Sequence, residues 1–219
     1  MNTRMFLGVL AAVLCAAGAL GVSAAAAAPP EFTPPFPNPF TSTSKAMTLQ
    51  TVGGFKVKCK ADTDKGEITG PVSALVRVTF TGCTSGAARC QGPNGLPGEI
   101  TTEQLLGTLG YVTRQPKVVG LDLSSPTGGP MIVFFCGEDV RAEVSGSLIG
   151  RLTPINKTLA PGELMHLTVT QKEGHQTIRM LLGGPLDVPV TSVLGGPLQE
   201  SGLASSDLLK FAAPIRIIA

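Results

Sequence analysis

The chain has no tryptophan, a single tyrosine and only two histidines among its 219 residues. The aromatic platforms that are common in sugar-binding sites are therefore scarce. Charge is scarce as well, because 15% of the residues are charged, against about 25% in an average globular domain. The formal net charge is +2, which gives no electrostatic footprint for binding nucleic acid.

Long hydrophobic runs are also missing from most of the chain. No segment after residue 28 approaches the roughly 20 consecutive apolar residues that a membrane-spanning helix needs. Glycine and proline are plentiful, with 27 and 18 residues, but they follow no G-X-Y period, so a collagen-like chain is excluded. Helical windows are nearly absent. One turn of helix is predicted over residues 205–210, with Ser205 or Ser206 as its N-cap.

Residues 1–28 predict a secretory signal peptide. A basic start (residues 1–4) precedes an apolar run (residues 5–20), and small residues follow up to Ala28. The alternative interpretation is an N-terminal membrane anchor that is not cleaved. We expect cleavage, which removes Cys15 with the peptide and leaves a secreted chain in the cell envelope or outside the cell, without a transmembrane span.

Residues 29–41 are rich in proline, with six prolines between Pro29 and Phe40. Proline fixes φ and removes a hydrogen-bond donor, so this stretch predicts an extended linker or arm. The alternative is a proline-rich ligand for a partner domain. We expect residues 42–219 to form one domain, because no second linker interrupts them.

The pattern from Met47 onward has a period of two, as in Phe55, Val57 and Cys59, which alternate with lysines. Short segments of this kind, for example residues 105–113 and 139–152, are separated by Gly, Pro and Asn turns and predict an all-β fold of roughly 10–13 antiparallel strands. The architecture is a single-domain β-barrel or β-sandwich. Asp62 and Asp64 resemble the start of a calcium loop only slightly, and we interpret residues 62–66 as a hairpin turn.

Four cysteines remain after cleavage: Cys59, Cys83, Cys90 and Cys136. An even number in an exported chain indicates two disulfides, and four cysteines allow three pairings. Cys59 and Cys136 share the inward parity of their strands, whereas Cys83 and Cys90 flank a short Gly/Ser loop. We therefore predict the pairs Cys83–Cys90 and Cys59–Cys136. No C-x₂₋₄-C pair is present, so a structural zinc site is not expected.

No motif with catalytic spacing stands out. His166 and His175 lack metal-ligand spacing around them, and we interpret both as surface or hydrogen-bonded strand residues. The segment 146–150 (GSLIG) does not have the register of a nucleophile elbow. Glycoside hydrolysis needs paired carboxylates, for which Glu99, Glu103 and Asp122 are available, but the sequence does not show that they converge. We predict no catalytic residue, no cofactor and no metal site.

A series of short motifs carries a family resemblance. They are VTFTGCTSGAARC (78–90), GEITT (98–102), LGY (109–111), VGLDL (119–123), FCG (135–137), GSLIG (146–150) and PINK (154–157). In this order, they resemble a family of uncharacterised secreted proteins of actinobacteria and their relatives. The resemblance implies export and the cysteine set, and it implies no particular activity.

These observations together predict an exported, disulfide-stabilised β domain. We expect a structural or binding role, without catalysis, at the cell envelope or outside the cell, with a ligand or partner that the sequence does not identify. The first alternative is a barrel that carries a small apolar ligand, which an apolar cavity would favour. The second is a secreted hydrolase, which would require acidic side chains or a histidine that converge in a cleft.

Overall fold

The computed structural model describes residues 28–219, and these residues form β-strands joined by turns, with no α-helix among them. All of the predicted signal peptide except Ala28 lies outside the described residues, as does Cys15. In chain order, the strands are β1 (Glu31–Phe32), β2 (Asn38–Ser44), β3 (Met47–Thr51), β4 (Lys56–Cys59), β5 (Ala61–Gly70), β6 (Ser73–Thr81), β7 (Thr84–Ser85), β8 (Ala88–Gln91), β9 (Ile100–Thr101), β10 (Leu105–Arg114), β11 (Lys117–Ser124), β12 (Ile132–Cys136), β13 (Val140–Ser145), β14 (Ser147–Thr153), β15 (Leu164–Val169), β16 (Gln171–Lys172), β17 (His175–Gln176), β18 (Val190–Val193), β19 (Gln199–Phe211) and β20 (Ile217–Ile218).

Eight of these strands close into an antiparallel barrel. Their order around the barrel is β2, β5, β6, β10, β11, β14, β15 and β19, and β19 then pairs with β2 again. The closing strand therefore has partners on both sides: Phe211 lies opposite Phe40 of β2, and Lys210 lies opposite Leu164 of β15. The predicted all-β class is confirmed, and of the two expected architectures the barrel is the one present.

The other long path of pairings closes a second ring through the same strand. It runs through β3, β4, β7, β8, β12, β13 and β18 and is completed by the first half of β19. There, Ser201 lies opposite Thr51 of β3, and Glu200 lies opposite Val190 of β18. Because β19 has 13 residues, it extends over about 40 Å, which is long enough to serve both rings.

The helical turn expected over residues 205–210 is wrong. These residues belong to β19, where Ser205, Asp207, Leu209 and Phe211 are buried on alternate positions. The serine pair allows a helical N-cap locally, but strand partners on both sides of β19 satisfy its backbone instead. Tertiary pairing thus overrides the local preference.

The proline-rich segment is not a free linker, so the domain begins before residue 42. Phe32 and Phe40 are 3% and 5% exposed, and β1 pairs with β20 near the end of the chain. Asn38 opens β2, and its side-chain amide exchanges hydrogen bonds with the backbone of Ala213 at 3.0 and 3.2 Å. Proline is accepted here because it occupies turn positions and alternates with residues that face the core.

One apolar core extends through the barrel and along the inner face of the second ring. Phe134, Ile68, Leu152, Met165 and Ile215 are among its largest fully buried side chains. The two rings therefore belong to one domain. Among residues 28–219, no helix has the length and apolar character that crossing a membrane requires.

Both disulfides lie in the second ring, and the predicted pairing is wrong. The structure joins Cys59 to Cys83 and Cys90 to Cys136, in place of Cys83–Cys90 and Cys59–Cys136. In each bonded pair the two cysteines lie directly opposite each other on neighbouring backbone segments, with Cα atoms 3.9 and 4.0 Å apart.

The four cysteines form a row: Cys59 ends β4, Cys83 immediately precedes β7, Cys90 lies in β8, and Cys136 ends β12. Within the row, Cys90 N–H donates to the carbonyl of Cys83 at 3.0 Å, so this central pair is of the wider, hydrogen-bonded type. Each of these two cysteines bonds to its outer neighbour. The predicted pairing did not account for Gly82, whose φ of +64° turns the chain between β6 and Cys83, so that Cys83 is buried.

Candidate ligand cavity with a buried acidic group

A cavity of about 100 Å³ lies in the core, where the barrel interior meets the inner face of the second ring. Its walls are mostly apolar and come from both rings, for example Val57 and Phe134 from the second ring and Val78 and Leu167 from the barrel. Five polar side chains also line it: Asp62, Asp64, Thr102, Ser205 and Asp207. The cavity thus has apolar walls with one strongly polar region.

Three aspartates make up most of this polar region, and we call Asp62, Asp64 and Asp207 the acidic trio. Their exposed fractions are 2%, 6% and 5%. A carboxylate oxygen of each one lies within 4.8 Å of those of the other two. Asp62 and Asp64 face inward from β5, and Asp207 faces inward from β19, with β2 between the two strands. Barrel closure therefore creates the trio.

Serine hydroxyls supply the hydrogen bonds to the trio. Ser42 lies opposite Asp64 and donates to its Oδ2, and Ser44 lies opposite Asp62 and donates to that carboxylate. Ser44 also donates its backbone N–H to Asp62 Oδ1 at 3.0 Å. The hydroxyl of Ser205 donates to Asp207, with distances of 3.0 and 3.2 Å to the two oxygens. Every member of the trio is therefore positioned by a neutral donor.

The remaining neighbours of the trio bring no charge. The strand partners of Asp62 and Asp64 on β6 are Phe80 and Val78, and the strand partner of Asp207 on β15 is Leu167. Among the described residues, no lysine, arginine or histidine forms a salt bridge with the trio. Three carboxyl groups thus share a buried site without a compensating cation from residues 28–219.

This environment shifts the titration of two of the groups upward. Burial raises the pKa of Asp64 to about 7; the hydrogen bond from Ser42 opposes this shift, and repulsion from Asp62 adds to it. Burial also raises the pKa of Asp207 to about 8, and the negative charges of Asp62 and Asp64 increase that pKa further. Near neutral pH, the site therefore holds protons that ordinary carboxylates would have lost.

One atom of the trio is left without a partner. Oδ1 of Asp64 is buried and has no hydrogen-bond partner among the described residues. A buried acceptor without a donor is costly, and Asp64 lines the cavity. A ligand in the cavity that carries a hydrogen-bond donor would satisfy this oxygen.

The two histidines lie away from the cavity. His166 is an exposed residue of β15. His175 lies on β17, and its Nδ1 is 3.1 Å from Oε1 of Glu200, which also pairs with Arg179 at 3.1 Å. Within the described residues, no serine or threonine hydroxyl bonds to His175. This group is an ion-pair cluster at the surface, so neither histidine is in a metal-binding arrangement.

The carboxylates considered for glycoside hydrolysis do not all come together. Glu99 and Glu103 line a separate open depression of about 310 Å³ with Arg77, whereas Asp122 lies on β11 and does not line it. Burial raises the pKa of Asp122, with Ser147 and Asp187 as its neighbours. Ser147 is buried at the start of β14.

Sequence reasoning missed the trio because it assigned residues 62–66 to a turn. In the structure, these residues lie within β5, and Asp62 and Asp64 face inward on alternate positions. A signal was present in the matching alternation of Ser42 and Ser44 on β2, which places a donor opposite each aspartate. Asp207 was hidden by the helical interpretation of its strand.

No family model, no curated protein and no solved structure matches this chain.

Proposed function

We propose that this chain is an exported binding protein that takes a small, largely apolar ligand into the cavity between its two rings. The observation that carries this proposal is the cavity itself, which has apolar walls and a few converging polar groups, as small-molecule sites do. Two disulfides support a location outside the reducing cytosol, since such bonds persist in oxidising compartments.

The size of the cavity limits the ligand. An apolar cavity of about 150 Å³ remains dry and binds benzene or xenon, and the present cavity is somewhat smaller, at about 100 Å³. The part of the ligand that enters is therefore a short aliphatic group or a small ring. A long lipid chain would not fit within the observed volume.

Export is part of the same proposal and has its own support. The amino-terminal sequence has the order of regions of a signal peptide, and the motifs resemble those of secreted actinobacterial proteins. Mass spectrometry of the culture medium of the native host tests this point. We expect a chain that begins near Ala28, and a cell-associated chain that still begins at Met1 would contradict export.

Xenon binding followed by NMR tests the cavity directly, because xenon probes apolar space without requiring a specific polar contact. We expect saturable shifts at side chains that line the cavity, such as Val57 and Leu203. Substitution of Val144, which also lines the cavity, by phenylalanine (Val144→Phe) fills part of the space and should abolish the shifts.

Val133→Phe is the matched control. Val133 lies on β12 in register with Glu143, next to Val144, but its side chain is on the outer face of the sheet. This variant should bind xenon as the unmodified chain does. Absence of xenon binding to the unmodified chain would contradict the proposed function and leave a purely structural role.

A further inference from the structure

We propose that the ligand is a small primary amine, with its apolar body against the cavity walls and its ammonium group on the acidic trio. This inference rests on the cavity-binding function proposed above and assigns the chemical class of the ligand. An ammonium group is compact and has three N–H donors. The cavity presents three carboxyl groups to receive it.

The carboxyl groups of the acidic trio lie close together at the cavity. All three aspartates line the cavity, and their carboxylate oxygens lie within 4.8 Å of one another. A single cation between them would interact with each carboxyl group. Because the surroundings exclude water, this interaction is stronger than the same contact at the surface.

One oxygen of the trio has no hydrogen-bond donor within residues 28–219. Ser42, Ser44 and Ser205 each donate to one aspartate, yet none of the described residues donates to Oδ1 of Asp64. Asp64 is only 6% exposed, so bulk water does not provide the missing bond. A ligand N–H in the cavity would provide it, whereas an anionic or acceptor-only ligand would face repulsion.

The rest of the cavity lining is mostly apolar. Beyond the trio, only Thr102 and Ser205 are polar, and the other walls are apolar side chains. A free metal ion or a polyamine would leave these apolar walls without a partner. A monoamine with a short hydrocarbon group matches both regions at once.

The experiment compares n-butylamine with 1-butanol, which has nearly the same shape and no charge. Binding to the purified, disulfide-bonded protein is followed by NMR titration at about pH 8. We expect n-butylamine to bind about ten-fold more tightly or better, since hydrogen bonds to charged groups are about twice as strong as neutral ones. This comparison needs no variant and does not depend on how any substitution folds.

Two variants then test whether the acidic trio is responsible for the preference for n-butylamine over 1-butanol. Asp64→Asn and Asp207→Asn should each reduce the preference for the amine to about three-fold or less, because each removes one carboxylate from the ammonium site. Asp139→Asn is the matched control, since Asp139 is exposed in the turn between β12 and β13. It should retain the full preference.

A pH titration provides an independent readout. Between about pH 8 and pH 5, Asp64 and Asp207 take up protons. Asp62 also faces the site, and the strand partners Ser42, Val78 and Leu167 are uncharged. Binding of n-butylamine should weaken over this range while binding of 1-butanol stays constant. A preference that does not change with pH would contradict the assignment of the trio.

The possible results separate the two proposals. Equal binding of the amine and the alcohol would overturn the amine assignment and leave the cavity function standing. Saturable binding of Ca²⁺ by the trio without a response to n-butylamine would also overturn it, in favour of a metal site. Absence of xenon binding would contradict the cavity function itself, and butanol and butylamine would then be expected not to bind either.

Discussion

The barrel and the second ring share a strand but are held together in different ways. In the barrel, β5 and β6 pair over almost their whole length, from Ala61 opposite Thr81 to Gly70 opposite Ser73. In the second ring, β4 and β7 pair only through Lys58 and Thr84. Both disulfides occur at this weak part of the second ring, and none occurs in the barrel. Covalent bonds thus supplement the backbone hydrogen bonds where the strands are shortest.

Removal of the disulfides should have the largest effect on stability, and it should act on the second ring. The Cys90–Cys136 bond spans 46 residues and the Cys59–Cys83 bond spans 24. The chain-entropy relation then gives losses of about 4 and about 3.5 kcal/mol in the free energy of unfolding for the corresponding double alanine variants. Denaturant unfolding measures both losses.

Hydrogen exchange of the same variants shows which strands lose stability. We expect amides of β4, β7 and β8 to lose protection first, while amides of β5 and β6 retain it, because only the short strands depend on the bonds. Uniform loss of protection in both rings would show that the rings do not differ in this way.

The acidic trio makes the barrel sensitive to pH. The pKa values of Asp64 and Asp207 rise from 3.8 to about 7 and about 8 on folding, so the folded chain holds more protons than the unfolded chain between about pH 4 and pH 8. Stability therefore falls as the pH rises through this window. The shift of Asp64 alone corresponds to a decrease of about 2–3 kcal/mol between pH 5 and pH 8. Asp207 adds to this decrease in the same direction, which is opposite to the usual behaviour of a paired carboxylate.

Urea unfolding across this pH range checks the prediction. The Asp64→Asn/Asp207→Asn double variant should show a much flatter profile, because it has lost both titrating groups. The exposed control Asp139→Asn should follow the unmodified chain. A stability that rises between pH 5 and pH 8 would contradict the direction of the shifts.

The smallest expected effect is a difference in packing between the two rings. It is tested by adding one methylene group to a buried valine in each ring. Val119 of β11 is fully buried and does not line the cavity, whereas Val144 of β13 is buried and lines it. Val119→Leu should reduce the free energy of unfolding by about 1–2 kcal/mol through overpacking. Val144→Leu should cost less than about 1 kcal/mol, because its added carbon has space. Thermal unfolding of the two variants tests this difference, and equal losses would argue against the cavity.

Local alternation predicted many of the strands well. Residues 105–113 were expected to be a strand, and β10 covers Leu105–Arg114. Residues 139–152 were expected to be one strand, but they form β13 and β14, which are separated at Gly146. There, the carbonyl of Val188 approaches so closely that a Cβ atom would clash with it. Such contacts come from distant parts of the chain, and a period of two does not report them.

The cavity and its acidic group depended on pairings that local patterns do not specify. The trio requires β2 to lie between β5 and β19, and so requires residues 62 and 207 to meet on closure of the barrel. The cysteine row likewise depends on the turn at Gly82 and on the order of four strands. Non-local register therefore determined both the site and the disulfides.

The shared strand β19 has a consequence for how this fold divides into modules. It pairs with β3 and β18 through its first half and with β2 and β15 through its second half. Deletion of either ring would leave β19 with a bare edge over half its length, and such an edge is prone to aggregation. The protein is therefore not a fusion of two separable barrels. Each ring supplies part of the strand pairing of β19, so we expect either ring to aggregate when it is expressed alone.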